Sequence, residues 1–437
     1  MGLKVAKFGG SSVADAIQIN KIKDIVEGDD AIKYVVVSAP GKRFKDDSKV
    51  TDLLYLCKTH IEHKIPYEQI FQVISDRYIA VEANLGVDVD AKGELQEIRR
   101  NIEAGASVDY IASRGEYLNA KIIAAALGFD FVDAKEIIKF SDKGKFLEDI
   151  TNDSIKRVLA EHETAVIPGF YGERLDGSIK TFSRGGSDIT GALIARAVGA
   201  DVYENWTDVS GFLMADPRIV DNPKPIEEIS YKELRELSYM GASVLHEDAV
   251  YPARIENIPI NIRNTNSPQD PGTMIVDRPH ANINNVVSGI AGSKDFTVIN
   301  MFKSSMATER GFIRRVAGIM EDHDIAIEHI PTGVDTISVV IDNEMLAGQL
   351  DDIIEEFKNQ LKPDSIEVTD DIAMIATVGA GMCTRTGTAA KLFTALAEAN
   401  INIRMIDQGS SEMNIIVGVD NTKFEDAIRA IYNAFVE

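Results

Sequence analysis

Leu3-Lys4-Val5-Ala6-Lys7-Phe8-Gly9-Gly10-Ser11-Ser12 is the stretch that decides what fold to expect. Leu3 to Ala6 alternate in apolar character as a β-strand does. A lysine, two glycines and two hydroxyls follow at once. Such a set suits phosphate, because glycines let backbone N–H groups approach an anion closely. The P-loop order G-x-x-x-x-G-K-[ST] is absent, since Lys7 precedes the glycines. A nucleotide turn of another construction, set directly after a strand, is therefore the reading to test along the chain.

Working outward, short apolar runs alternate with helical patterns up to about residue 205. Tyr34 to Ser38, Phe129 to Val132 and Thr164 to Pro168 read as strands, and Glu116 to Leu127 as a helix. This alternation predicts an α/β fold, a mostly parallel sheet between helix layers. Asp176-Gly177 predicts a hairpin turn, and Asp221 to Pro225 and Pro271-Gly272 predict loops. A second glycine pair, in Ser183-Arg184-Gly185-Gly186-Ser187-Asp188, opens the helical pattern Asp188 to Val198. A single Gly-Gly is ordinarily a tight strand-to-helix turn. Two of them, one beside Lys7 and the other beside Arg184 and Asp188, point to anion binding.

The last third repeats itself. Gly311 and Gly387 stand 76 residues apart. With them aligned, Val316 meets Leu392, Ile325 meets Ile401, Ile327 meets Ile403 and Ile330 meets Ile406. Each copy reads as a strand (Thr297 to Met301, Met374 to Val378), a glycine-led helix, a second strand (Asp324 to Ile327, Asn400 to Ile403) and a third (Ile337 to Ile341, Ile415 to Val419). A β-α-β-β unit of this size cannot bury both sheet faces alone, so it pairs with its sibling or with another chain.

The chain has 437 residues, too many for one core, and a formal charge of −23. That charge excludes general binding to nucleic acid or to an acidic membrane surface. Cys57 and Cys383 lie too far apart in sequence to form a disulfide framework, as expected in a reducing cytoplasm. No apolar run reaches the length of a membrane span. Ala6 rules out the myristoylation pattern that Met1-Gly2 suggests, and a signal-peptide core is missing. The expected location is cytoplasmic. The histidines have no metal-ligand spacing, His246 reads as a packed core residue, and no residue is assigned to direct metal ligation.

Lys7 to Ser12 together with Thr181 to Asp188 resembles the aspartate kinases of the amino-acid kinase superfamily. Asn205-Trp206-Thr207-Asp208-Val209-Ser210-Gly211, Ala215-Asp216-Pro217-Arg218 and Gly379-Ala380-Gly381-Met382 resemble the same family, in the same order. The likeness runs over essentially the whole chain. It implies a catalytic domain over 1–290 and two βαββ-type ACT regulatory domains over 297–365 and 372–437. It also implies ATP-dependent phosphorylation of the β-carboxylate of L-aspartate, with Mg²⁺, as the first step towards lysine, threonine and methionine. A carboxylate nucleophile is ionised at neutral pH and needs no general base. The work lies in positioning and in stabilising charge.

The resemblance further implies residue roles. Lys7 would lie against the transferring phosphate, with Gly9, Gly10 and Ser11 donating backbone hydrogen bonds. Asp188 would hold Lys7 and a Mg²⁺-bound water. Arg184 would grip the substrate carboxylate, with Ser187 beside it, and Glu116 would face the substrate ammonium. Ser38, Thr51 and Phe170 complete the aspartate side. Thr207, Asp208, Asp216 and Arg218 fall where the family holds the nucleotide. Ser243, in Gly241-Ala242-Ser243-Val244-Leu245-His246-Glu247, stands where the family often has a nucleotide-contacting lysine.

Met306, Phe312, Ile313, Ile327 and Glu328 match the effector positions. Glu328, as an acceptor for an ammonium, makes lysine the expected inhibitor and threonine the runner-up; the same residues also fit a dimer core without a ligand. A homodimer or homotetramer through the ACT units is expected. Two other readings stand beside this one. A catalytically dead, kinase-fold amino-acid sensor would draw support from Ser243. A superfamily member acting on glutamate or acetylglutamate would lack the paired ACT units.

Overall fold

The computed structural model describes residues 2–183, 185–241, 247–278 and 286–436. These form two compact units that interleave in sequence. The first comprises 1–212, 225–231 and 244–279, and the second 213–224, 232–243 and 280–437.

The first unit carries strands β1 (Lys4–Phe8), β2 (Ile32–Val37), β3 (Asp130–Phe131), β4 (Lys139–Phe140), β5 (Ala165–Pro168), β6 (Tyr171–Arg174), β7 (Ile179–Thr181), β8 (Val202–Thr207), β9 (Glu228–Ser230), β10 (Ile260–Asn264) and β11 (Thr273–Val276). Eight of them form one sheet in the order β3-β5-β2-β1-β8-β10-β11-β9. Every pairing in it is parallel except β10 with β11. Strands β4, β6 and β7 make a small separate sheet, and Asp176-Gly177 lies in the predicted hairpin between β6 and β7. The predicted alternation of strands and helices is present. Val-rich β2 is central and fully flanked, which suits its continuous apolar run.

Side-chain parity on β1 divides its neighbours. Ala6 and Phe8 enter a core shared with helices Ala16–Glu27, Val50–Glu62, Glu68–Leu85, Ala91–Glu103 and Val108–Leu127. Lys7, one residue out of phase, takes the opposite face, where helix Gly186–Val198 packs on β1 and β2. Helices Glu148–Leu159 and Glu247–Ile255 lie against that helix.

The second unit holds one antiparallel sheet of β12 (Gly289–Phe302), β13 (Thr336–Asp342), β14 (Ser365–Val378), β15 (Met405–Asp407) and β16 (Asn414–Asp420). Its order is β13-β12-β14-β16-β15. The aligned glycines hold their place: Gly311 (φ 76°) and Gly387 (φ 88°) each open a helix in the left-handed region, Phe312–Asp322 and Thr388–Glu398.

The second strand of each repeat does not lie where predicted but a few residues later, as isolated bridges at His329 and Thr332 in the first repeat and as β15 in the second. Asp324 (φ 57°) and Asn400 (φ 54°) turn the chain out of the preceding helix. The residues after them belong to no ladder until the isolated bridge of His329 to Val340 and until β15. Ile325 and Ile401 are each 5% exposed. Their apolar alternation serves burial at a helix end, not strand pairing.

The repeats also share strands. Val298 to Phe302 pairs with Ser365 to Thr369, whereas Gly289 to Ser293 pairs with Met374 to Val378. Two long strands therefore run through both copies.

Candidate functional site

The carboxyl ends of β1, β2, β5 and β8 converge on the glycine turn, where an open parallel sheet leaves a crevice for ligands. Lys7 and Asn205 are register partners on adjacent parallel strands, 198 residues apart in sequence. The Lys7 ammonium lies 2.6 Å from Asp188 Oδ1 and donates to Asn205 Oδ1 at 3.4 Å. Asn205 Nδ2 donates to the same Asp188 oxygen at 2.8 Å. Lys7 and Asn205 are buried. A buried lysine is thus held by one carboxylate in a closed triangle. Tyr203 Oη fixes the Asp188 carbonyl at 3.1 Å. Gly191 leaves the room this needs, since a Cβ there would stand 2.5 Å from that hydroxyl.

The glycine turn departs from expectation in one respect. Gly9 N–H donates to the Trp206 carbonyl at 3.0 Å and so is not offered to phosphate. The N–H groups of Gly10 and Ser11, which begin a 3-10 turn over Gly10–Val13, have no partner among the described residues. Gly10 carbonyl accepts from Gly41 N–H at 2.8 Å, so the loop after β2 lies directly on the turn.

On that loop's far side, Ser38 carbonyl accepts from Asn119 Nδ2 at 2.8 Å, and Ala39 is hydrogen-bonded through its backbone to Glu116. Glu116 is 5% exposed, and burial pushes its carboxyl up to about 8. Glu116 Oε2 and Asn119 Oδ1 are buried acceptors without a donor. Three residues apart on one helix, they share a face. An unpaired buried acceptor is costly, and two together call for a ligand rich in donors. Thr51 sits in the first turn of the neighbouring helix Val50–Glu62.

Phe170 holds a left-handed backbone (φ 80°), fixed by its N–H donating to Thr190 Oγ1 at 3.2 Å. Gly169 and Gly186 allow the close packing of this bend on Ser187 and on Phe170 itself. Phe170, Ser187 and Asp188 are thereby brought to one place. Arg184 and Ser243 lie outside the described residues, as does His246.

Thr207 ends β8, and its hydroxyl donates to Asp208 Oδ1 at 3.2 Å. Asp216 and Arg218 belong to the second unit, where they pair with each other at 2.6 Å; the guanidinium holds the Asp216 carboxyl below its usual range. Also in that unit, Met306 and Phe312 are buried in the hydrophobic cluster and Ile327 packs against it. Ile313 is exposed, and Glu328 accepts from the Tyr239 hydroxyl.

Asn205, Asn119 and Gly41 escaped the sequence reading. Asn205 had a signal, as a polar residue at the carboxyl end of a strand inside an already notable motif. Asn119 had a weaker one, three residues after Glu116.

Among the described residues no cluster of three or more His, Cys, Asp or Glu gathers to hold a metal. Asp188, the carboxylate beside the Lys7 ammonium, suits Mg²⁺, which keeps several waters and leans on substrate phosphates.

The model of the amino acid kinase family matches residues 2–264, and that of an ACT domain matches 375–435. The chain belongs to the amino acid kinase family and carries ACT regulatory structure behind the kinase. Within that family it is one of the aspartokinases, and so a phosphotransferase. It is 38% identical to aspartokinase 3 of Bacillus subtilis over 99% of this chain and 98% of that one. The crystal structure of Clostridium acetobutylicum aspartate kinase superposes with TM-score 0.93 at 53% identity, with all of both chains covered. Escherichia coli aspartokinase III, solved in complex with aspartate and ADP, matches at TM-score 0.75 and 25% identity, again over both whole chains.

Proposed function

We propose that the chain transfers the γ-phosphoryl group of ATP to the β-carboxylate of L-aspartate, and that lysine inhibits it. The observation that carries the substrate reading is the pair of donorless buried acceptors, Glu116 Oε2 and Asn119 Oδ1. An α-ammonium supplies the donors they lack. The carboxylate oxygen of aspartate attacks phosphorus, the bond to the bridging oxygen breaks, and ADP leaves with the electron pair. No proton moves. Lys7 neutralises charge on the transferring group, and Gly10 and Ser11 offer it their free N–H groups. Asp188 keeps Lys7 aimed and would hold Mg²⁺ through water. When bound, that metal would supply neutralisation of the phosphate charge. Arg184 serves the substrate carboxylate, with Ser38, Thr51, Phe170 and Ser187 completing that side. Thr207, Asp208, Asp216 and Arg218 serve the nucleotide.

On this reading the catalytic part spans 1–290 and the ACT units 297–365 and 372–437, which join copies into a homodimer or homotetramer in the cytoplasm. The effector residues are Met306, Phe312, Ile313, Ile327 and Glu328. Lysine is favoured because a second form of E. coli aspartokinase III, at TM-score 0.76 and 25% identity, was solved with lysine and aspartate. Inhibition requires lysine to bind one conformational state better than the other. A hydroxamate assay with ATP and aspartate, run with lysine and threonine titrated separately, tests both parts. Turnover at background would end the catalytic reading. Turnover indifferent to millimolar lysine would end the regulatory one.

A further inference from the structure

Helix Glu68–Leu85 contributes none of the residues assigned above, yet two adjacent buried side chains on it reach the glycine turn, the loop after β2 and the helix that carries Glu116. Arg77 is 5% exposed. Its guanidinium donates to Ala14 carbonyl at 3.0 Å, to Gly41 carbonyl, and to Ser48 carbonyl at 3.0 Å. Ala14 closes the 3-10 turn that begins at Gly10. Gly41 is the residue whose N–H rests on the Gly10 carbonyl. Ser48 ends the loop that leads into the helix bearing Thr51. Asp47 stands 3.6 Å from the same guanidinium. Next along the helix, Tyr78 is 1% exposed and donates to Gly115 carbonyl at 2.7 Å, one residue before Glu116.

A cation that needs only a counter-ion would not require three main-chain carbonyls. Desolvating a guanidinium is costly, and the rigid fork recovers that cost only while the glycine turn and both ends of the loop after β2 stay in register.

We propose that Arg77 and Tyr78 are a positioning pair for catalysis: Arg77 fixes the glycine turn against the Gly41 loop, and Tyr78 fixes the helix that presents Glu116. The two act on different substrates. Arg77 governs the free N–H groups of Gly10 and Ser11, hence ATP. Tyr78 governs the ammonium subsite, hence aspartate. This inference rests on the reaction proposed above.

The test is a steady-state comparison of Arg77→Met, Arg77→Lys and Tyr78→Phe, with hydrogen exchange of residues 9–14 and 39–48 followed by mass spectrometry. Arg77→Met is expected to lower kcat/KM by about ten- to hundredfold, as displacements near 1 Å do, mainly through a higher KM for ATP. Exchange in both segments should accelerate while the remaining protein stays protected. Tyr78→Phe should raise the KM for aspartate and leave that for ATP unchanged. Arg77→Lys keeps the charge without the fork and should stay impaired. Should Arg77→Met fail to fold, the lysine variant carries the test alone. Unchanged KM values and unchanged exchange, with only a lower melting temperature, would overturn the proposal. So would full rescue by lysine. An inactive wild-type chain would sink the reaction instead, and the exchange arm would still decide the role of Arg77.

Discussion

Among the described residues Lys7 forms an ion pair with Asp188 alone, and Asn205 closes it from the adjacent strand. On the proposed reaction, removing Lys7 deletes a preorganised charge where phosphoryl charge develops. Lys7→Ala is expected to reduce turnover by roughly 10²- to 10³-fold or more with the fold intact, as checked by the hydroxamate assay alongside circular dichroism. Near-normal rates would show that the charge is supplied elsewhere. Glu116 sets a pH dependence. Its folded-state value of about 8 lies above the ordinary 4.5. The stability linked to its proton is therefore complete below about pH 4.5 and is lost as pH rises through about 8. With Glu116 in its proposed role, aspartate binding needs the ionised form, so the KM for aspartate should fall as pH climbs towards 8. Glu116→Gln should flatten both curves, in melting temperature and in KM. A wild-type KM that is level from pH 6 to 8 would contradict the assignment.

Elements place these groups, and two tight contacts show how. The loop after β2 meets the glycine turn backbone to backbone, and a Cβ on Gly41 would stand 2.6 Å from the Gly10 carbonyl carbon. Backbone cannot step aside as a long side chain can. Gly41→Ala is expected to cost about 1–3 kcal/mol of stability and to weaken nucleotide binding together with it. Chemical denaturation and ADP titration would measure the two, and a stable variant with full ADP affinity would show the contact to be dispensable. The strand-then-turn construction was legible in the residues, because a short apolar alternation ending in Gly-Gly is a local pattern. The identity of the free N–H groups was not. Whether Gly9 or Gly10 faces the ligand depends on Trp206 carbonyl, which reaches the turn only through the pairing of β1 with β8. The displacement of each repeat's second strand has the same origin. Apolar alternation at Ile325 and Ile401 is compatible with a strand or a buried coil, and only the available neighbours choose.

Across the whole molecule, the repeated units cannot be separated at their sequence boundary. Strand β14 serves the first copy through Ser365 to Thr369 and the second through Met374 to Val378, each against a different half of β12. A chain cut after Leu361 would leave both halves of β12 without their β14 partner and expose a long unpaired edge. Such truncation is expected to give aggregated protein and not an enzyme with one regulatory unit. Size-exclusion chromatography decides it, and a soluble, active, lysine-responsive fragment would refute the shared-strand argument. The charge of −23 sets a further condition at this scale. Both substrates are anions approaching an acidic protein, so capture depends on the few local cations and on salt, which screens the background.

The residues by themselves determined the order of elements, the two glycine turns, the repeat marked by Gly311 and Gly387, and the kinds of group available for phosphate and ammonium. These are properties of near neighbours, written as periodicity and backbone freedom. Tertiary structure alone decided that Asn205 joins Lys7 to Asp188, that Gly9 spends its N–H on Trp206, that Arg77 binds three carbonyls, and that the repeats share strands. Each of these joins residues distant in the chain, and such meetings are set by which strands align when the whole apolar surface is buried.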